Sequence, residues 1–137
     1  MKRLLRSRAA RFALLLSILA PTSCKEDGFA GTYTATSFTY APAGGTPKDV
    51  LAAGGGITLN IGRDFSTSGS MSIPASVTGG AAINQGLLGA AARMNESVEL
   101  SLVQDSFLNE MVFTYTGTSL TGSGTFSGVG IVVTLSK

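Results

Sequence analysis

Few side chains in this 137-residue chain could carry out chemistry. It holds no histidine, the commonest general base and the commonest transition-metal ligand. Its only cysteine is Cys24, so an internal disulfide and a zinc–thiolate site are both excluded. The serines have no imidazole partner, and no Gly-x-Ser-x-Gly elbow stands between a strand and a helix. Two carboxylate pairs remain. Glu96 and Glu99 flank the start of a strand, and Asp105 and Glu110 flank a turn. Paired carboxylates can hydrolyse glycosides, but acids at strand ends are ordinarily solvated charges. Asp105, Asn109 and Glu110 offer oxygen donors without the Asp-x-Asx-x-Asx-Gly spacing of a calcium loop. The glycine run Gly122-Ser-Gly-Thr-Phe-Ser-Gly128 misses the dinucleotide spacing by one residue and lies between strands, where glycines serve turns and curvature. Asn95-Glu96-Ser97 fits a glycosylation acceptor, a tripeptide short enough to arise by chance. The expectation is a protein that is not an enzyme and needs no metal or cofactor.

Cys24 has a different context. Lys2, Arg3, Arg6, Arg8 and Arg11 form a basic start, and Phe12 to Ala20 is an uncharged apolar run. Nine apolar residues are too few to span a bilayer, which takes about 20; after a basic start they make a secretory signal. Pro21 makes cleavage after Ala20 unfavourable for ordinary signal peptidase. The stretch Leu19-Ala-Pro-Thr-Ser-Cys24 resembles a bacterial lipobox, although Pro21 stands where that motif prefers leucine. The resemblance implies that residues 1–23 are a lipoprotein signal peptide and that Cys24 becomes the first mature residue. Its sulfur would join diacylglycerol through a thioether, with fatty acyl chains such as palmitate as the membrane anchor. Lys25 follows the cysteine, where some bacteria place aspartate to retain lipoproteins at the inner membrane. The expected location is therefore the cell envelope, at the outer membrane facing the periplasm in preference to the inner membrane. The alternative is an ordinary exported protein with a leftover thiol.

Removing the signal reverses the charge argument. From Cys24 onward the chain has five cations (Lys25, Lys48, Arg63, Arg93 and Lys137) against eight acids, a net charge of −3, whereas the whole chain is +2. No basic cluster remains to neutralise phosphates, so nucleic acid is excluded as a partner.

The mature part reads as a short tether, 24–30, and one β domain, 31–137. Only 13% of the chain is charged, and Gly, Ser and Thr fill the polar positions, a composition that suits a pleated surface. Apolar residues alternate with period two at Ile57/Leu59/Ile61, Met71/Ile73, Val98/Leu100/Leu102, Met111/Phe113/Tyr115 and Val129/Ile131/Val133/Leu135. Between Thr32 and Tyr40 the alternation is blurred but β propensity is high. Gly62-Arg63-Asp64, Gly117-Thr118-Ser119 and Ser127-Gly128 supply turns. The fold class is all-β: seven to eight strands in an antiparallel meander, closing as a small barrel or a sandwich. Of these residues, Ile57, Leu59, Ile61, Val98, Leu100, Leu102, Phe113, Tyr115, Ile131, Val133 and Leu135 are expected to share one core. Two stretches break the rhythm. Residues 41–56 read as a long loop with a helical turn at 48–53. Residues 79–95, "GGAAINQGLLGAAARMN", read as an inserted short helix over about 81–93 or a long loop, with Gly86 and Gly89 each costing a helix about 1 kcal/mol.

The opening "GTYTATSF", the hairpin "GGGITLNIGRDFSTSGSMSI" and the closing "FTYTGTSLTGSGTFSGVGIVVTLSK" resemble small bacterial lipocalin-like barrel domains. Tyr33 stands near the place of the tryptophan common after the opening glycine in that family. The resemblance implies a small apolar ligand inside the barrel, lined by Tyr33, Phe38, Phe113 and Tyr115. The composition of 79–95, with apolar Ile83, Leu87, Leu88 and Met94 in an Ala/Gly-rich stretch, suggests a lid that brings Leu87 and Leu88 to that ligand, or equally an ordinary insertion loop. The same aromatics also suit a filled core in a domain without tryptophan or disulfides. The functional expectation is a lipid-anchored envelope binding protein. The alternative is a structural or inhibitor-type module that engages another envelope protein through loops 41–56 and 79–95.

Overall fold

The computed structural model describes residues 28–137. Residues 1–27, which include the expected signal peptide and Cys24, lie outside the described residues. Ten strands follow in order: β1 (Gly31–Ala41), β2 (Lys48–Asp49), β3 (Gly56–Ile61), β4 (Ser66–Ile73), β5 (Ile83–Gly86), β6 (Gly89–Met94), β7 (Ser97–Leu102), β8 (Val112–Tyr115), β9 (Ser119–Phe126) and β10 (Val129–Ser136). Neighbouring strands run β10-β9-β8-β7-β6-β4-β3-β1, and β10 pairs back onto β1 from Thr34↔Ser136 to Ala41↔Gly130. The sheet is therefore a closed antiparallel barrel of eight strands; closure decides for barrel over sandwich. Strand β2 adds to β1, and β5 continues the edge of β4 beyond β6.

The period-two pattern sets the inside of the wall. All eleven side chains expected in the core are buried, together with Met71, Ile73, Leu120 and others. Strand β1 blurs because its register slips between Ala35 and Ser37. Tyr33 and Ala35 face inward before this bulge, and Phe38 does so after it. Outward positions carry mainly Ser and Thr, as on β9, where Thr121, Ser123 and Thr125 are exposed.

Turns form where the chain tolerates a left-handed backbone. Phe65, Asn95 and Ser127 have φ of 63°, 56° and 50°, and Gly128 follows Ser127 at 81°. Two successive positive φ values match the primed two-residue turn that suits a twisted hairpin. In the β3–β4 turn, Asp64 Oδ1 accepts from the Ser66 amide and hydroxyl, at 3.1 and 2.6 Å. In the 41–56 connection, Asp49 Oδ1 caps Leu51 and Ala52, and the Ala53 amide reaches the Asp49 carbonyl at 3.3 Å. That is the expected helical turn. It buries Val50 over one barrel end.

Residues 79–95 depart from the expectation: they form neither an inserted helix nor a long loop. The one α-helix of the described residues precedes them at α1 (Ala75–Thr78). Residues 83–94 instead complete the wall. Ile83 to Gly86 pair with Ser70 to Ile73, and Gly89 and Ala90 with Thr67 and Ser66. The interruption at Leu87–Leu88 is bridged by the Leu87 amide to Gly69 O and by Thr67 Oγ1 to Leu87 O. Helix propensity loses here because a helix would leave the backbones of β4 and β7 without partners. Glycine at 89 also has a steric reason. A Cβ there would stand 2.1 Å from the Ser101 carbonyl oxygen.

Candidate functional site

Five of the six residues expected to line a ligand are packed inside the barrel, and one is outside it. Tyr33, Phe113 and Leu87 are 0% exposed, Phe38 1% and Tyr115 4%, whereas Leu88 is 64% exposed. A side chain bordering an empty cavity of ligand size, about 300 Å3 or more, would present surface to it. These five present almost none, and they belong to one continuous core cluster. The Tyr33 hydroxyl donates to the Phe29 carbonyl at 2.6 Å, and the Tyr115 hydroxyl to the Gly117 carbonyl at 2.9 Å. Burial, and secondarily the neighbouring Tyr115, pushes the Tyr33 phenol far above its ordinary pKa. Leu87 and Leu88 lie in a wall, so 79–95 is not a lid.

The carboxylates do not converge. Glu96 sits in the β6–β7 turn and Glu99 points outward from β7. Asp105 and Glu110 are exposed on the β7–β8 connection at the other end of the barrel. Asn109 is occupied by its own loop: its Oδ1 accepts from the Leu102 amide at 2.7 Å, and its Nδ2 donates to the Leu102 and Gln104 carbonyls. Among the described residues no three His, Cys, Asp or Glu side chains gather as a metal site. Asp64 is held below the ordinary aspartate range by the Ser66 hydroxyl and then the Ser66 amide, which is turn chemistry.

A cluster that sequence reasoning missed lies at the end where β1 begins and β10 finishes. Phe29, which the sequence places in the tether, is buried. It meets Tyr115 edge-on at 5.2 Å and Phe65 at 5.7 Å between ring centroids. The Arg93 guanidinium carbon lies 4.5 Å from the Tyr115 ring centre and 5.3 Å from that of Phe29. The Lys137 ammonium lies 5.2 Å from the Tyr33 ring and 5.8 Å from that of Tyr115. Such cation–ring contacts each contribute on the order of 0.5–2 kcal/mol. Strand parity explains the arrangement. Arg93 occupies an inward slot two residues after buried Ala91, and its stem runs along the wall to bring the charge out at the rim. Lys137 follows Leu135 in the same way, and burial lowers its pKa. The available sequence signal was the cation at an inward position of the alternation, hidden once 79–95 was read as a helix or loop.

The outer wall carries exposed apolar residues on one sector. Leu88 and Val103 are neighbours, joined by the Val103 amide to the Leu88 carbonyl at 2.8 Å. Further along, Met94 and Val112 border a shallow groove with Ala92, Ser97 and Glu99. Comparisons with protein-family models, curated proteins and solved structures find no match to this chain.

Proposed function

We propose that the protein is a lipid-anchored, lipocalin-like barrel of the bacterial cell envelope that acts without catalysis, by binding another envelope protein through its outer surface. The supporting observation is the packing of the would-be ligand site: Tyr33, Phe38, Leu87 and Phe113 are fully enclosed by other side chains. A barrel of eight strands has an interior just wide enough for side chains to fill, and here they fill it around these positions. This favours the module reading over the small apolar ligand. Of the two loops first considered for the partner, 41–56 remains at a barrel end, while 79–95 contributes the wall bearing Leu88. The anchor rests on the order of basic, apolar and small residues before Cys24.

Native mass spectrometry of the protein extracted from its own host membrane, with in-cell crosslinking beforehand, tests this reading. The expected result is an acylated mass, a crosslinked envelope protein and no small molecule retained one-to-one. A stoichiometric apolar molecule surviving extraction would overturn it in favour of a ligand carrier.

A further inference from the structure

The described chain begins at the same end of the barrel as the aromatic–cation cluster. From Cys24 to Gly28, the first described residue, there are four residue steps. Fully extended they reach roughly 14 Å. The β3–β4, β6–β7 and β8–β9 turns share this end, because the antiparallel order places them all beside the start of β1. Two large apolar side chains project there: Phe65 is 45% exposed and Met94 77% exposed. Charge is also distributed unevenly. Of the four described cations, Arg63, Arg93 and Lys137 are at this end, with Asp64 and Glu96 in its turns and Glu99 bordering the groove beside Met94 as the side-chain acids. The opposite end has Lys48 against Asp49, Asp105 and Glu110. An anionic surface therefore repels the second end more strongly than the first.

We propose that this end rests on the phospholipid surface, with Phe65 and Met94 entering the headgroup layer and the cations of the rim facing lipid phosphates. Aromatic rings with cations beside them suit the membrane–water interface, where one side of a residue is apolar and the other wet. The lipid alone would leave the barrel free to swivel; the docked rim fixes which surface faces the envelope space. That surface is the 41–56 loop, the β7–β8 connection and the upper wall. The inference rests on the proposed anchor at Cys24.

The chain has no tryptophan, so single reporters can be placed. Phe65→Trp, Met94→Trp and, at the opposite end, Val103→Trp are made in the full chain, purified with its anchor, and reconstituted into vesicles of phosphatidylethanolamine and phosphatidylglycerol containing brominated phosphatidylcholine. Flotation with the vesicles reports the anchor; bromine quenching of the introduced indole reports orientation. We expect flotation of all three variants, fluorescence quenching of at least about twofold for Phe65→Trp and Met94→Trp, and none for Val103→Trp. Flotation without quenching of the first two, or quenching of Val103→Trp instead, overturns the docked orientation while the anchor stands. Failure of all three to float overturns the anchor and the docking together.

Discussion

Replacing Gly89 with alanine has opposite consequences in a helix and in this wall. In a helix, Gly→Ala would stabilise by about 1 kcal/mol. In the barrel the new methyl would stand 2.1 Å from the Ser101 carbonyl oxygen and 2.7 Å from the Leu102 Cα. Both are backbone atoms, so no rotamer change relieves the clash. The β6 and β7 backbones must separate by about 1 Å, against the pairing of Gly89 with Leu102 and Ala90 with Ser101. Weakening one or two ladder hydrogen bonds costs about 0.5–1.5 kcal/mol each, and forced overpacking about 1–3 kcal/mol. The sum is about 1.5–6 kcal/mol, or roughly 6–24 °C in Tm for a domain of this size. Gly86→Ala is the internal control, since its nearest neighbour would be Gln104 Oε1 at 3.7 Å; it should stay within about 0.5 kcal/mol. Urea titration followed by circular dichroism measures both. An unchanged or raised midpoint for Gly89→Ala would refute the wall assignment of 89–94.

Other outcomes follow from the same packing. Leu100→Ala, at a site 2% exposed, should cost about 2–5 kcal/mol, read as a lower urea midpoint, while Ser101→Ala on the outside should be near neutral. Tyr33→Phe removes the donor to the Phe29 carbonyl and should cost about 1–3 kcal/mol at neutral pH. Because the Tyr33 pKa is raised in the fold, the folded state holds a proton that the unfolded chain releases above its ordinary value of about 10. Stability therefore falls as pH rises beyond that value, and Tyr33→Phe should flatten this fall in alkaline denaturation curves. Lys137 acts with the opposite sign, since burial lowers its pKa, and is left unchanged by that variant. Cys24→Ser should move the protein from the membrane to the soluble fraction; continued sedimentation with membranes would count against the anchor.

How much was readable in the sequence depended on how local the cause was. Ile57, Leu59 and Ile61 announce their face because each pairs with a neighbour through a short turn, and the alternation survives intact. The Ser127-Gly128 turn was equally legible, as two residues dictate it. Residues 79–95 were not. Their Ala and Gly content favours a helix or loop locally, and only the waiting edges of β4 and β7 make them strands. The cluster at the barrel rim was hidden for a related reason. Phe29, Phe65, Arg93, Tyr115 and Lys137 are scattered over more than a hundred residues, and barrel closure alone brings them together. The residues before Gly28 are legible only as a motif, since they lie outside the described residues.

The pairing of the first strand with the last also sets a timetable for the nascent chain. Thr34 meets Ser136 across 102 residues, so the ring cannot shut until residue 136 has left the ribosome. Before β10 is available, β1 and β9 each have an edge without a partner, and the most distant contact carries the largest loop-closure entropy. A chain built this way remains threadable for as long as it is being made. Stopping short of residue 129 would yield an open, sticky sheet in place of a smaller barrel.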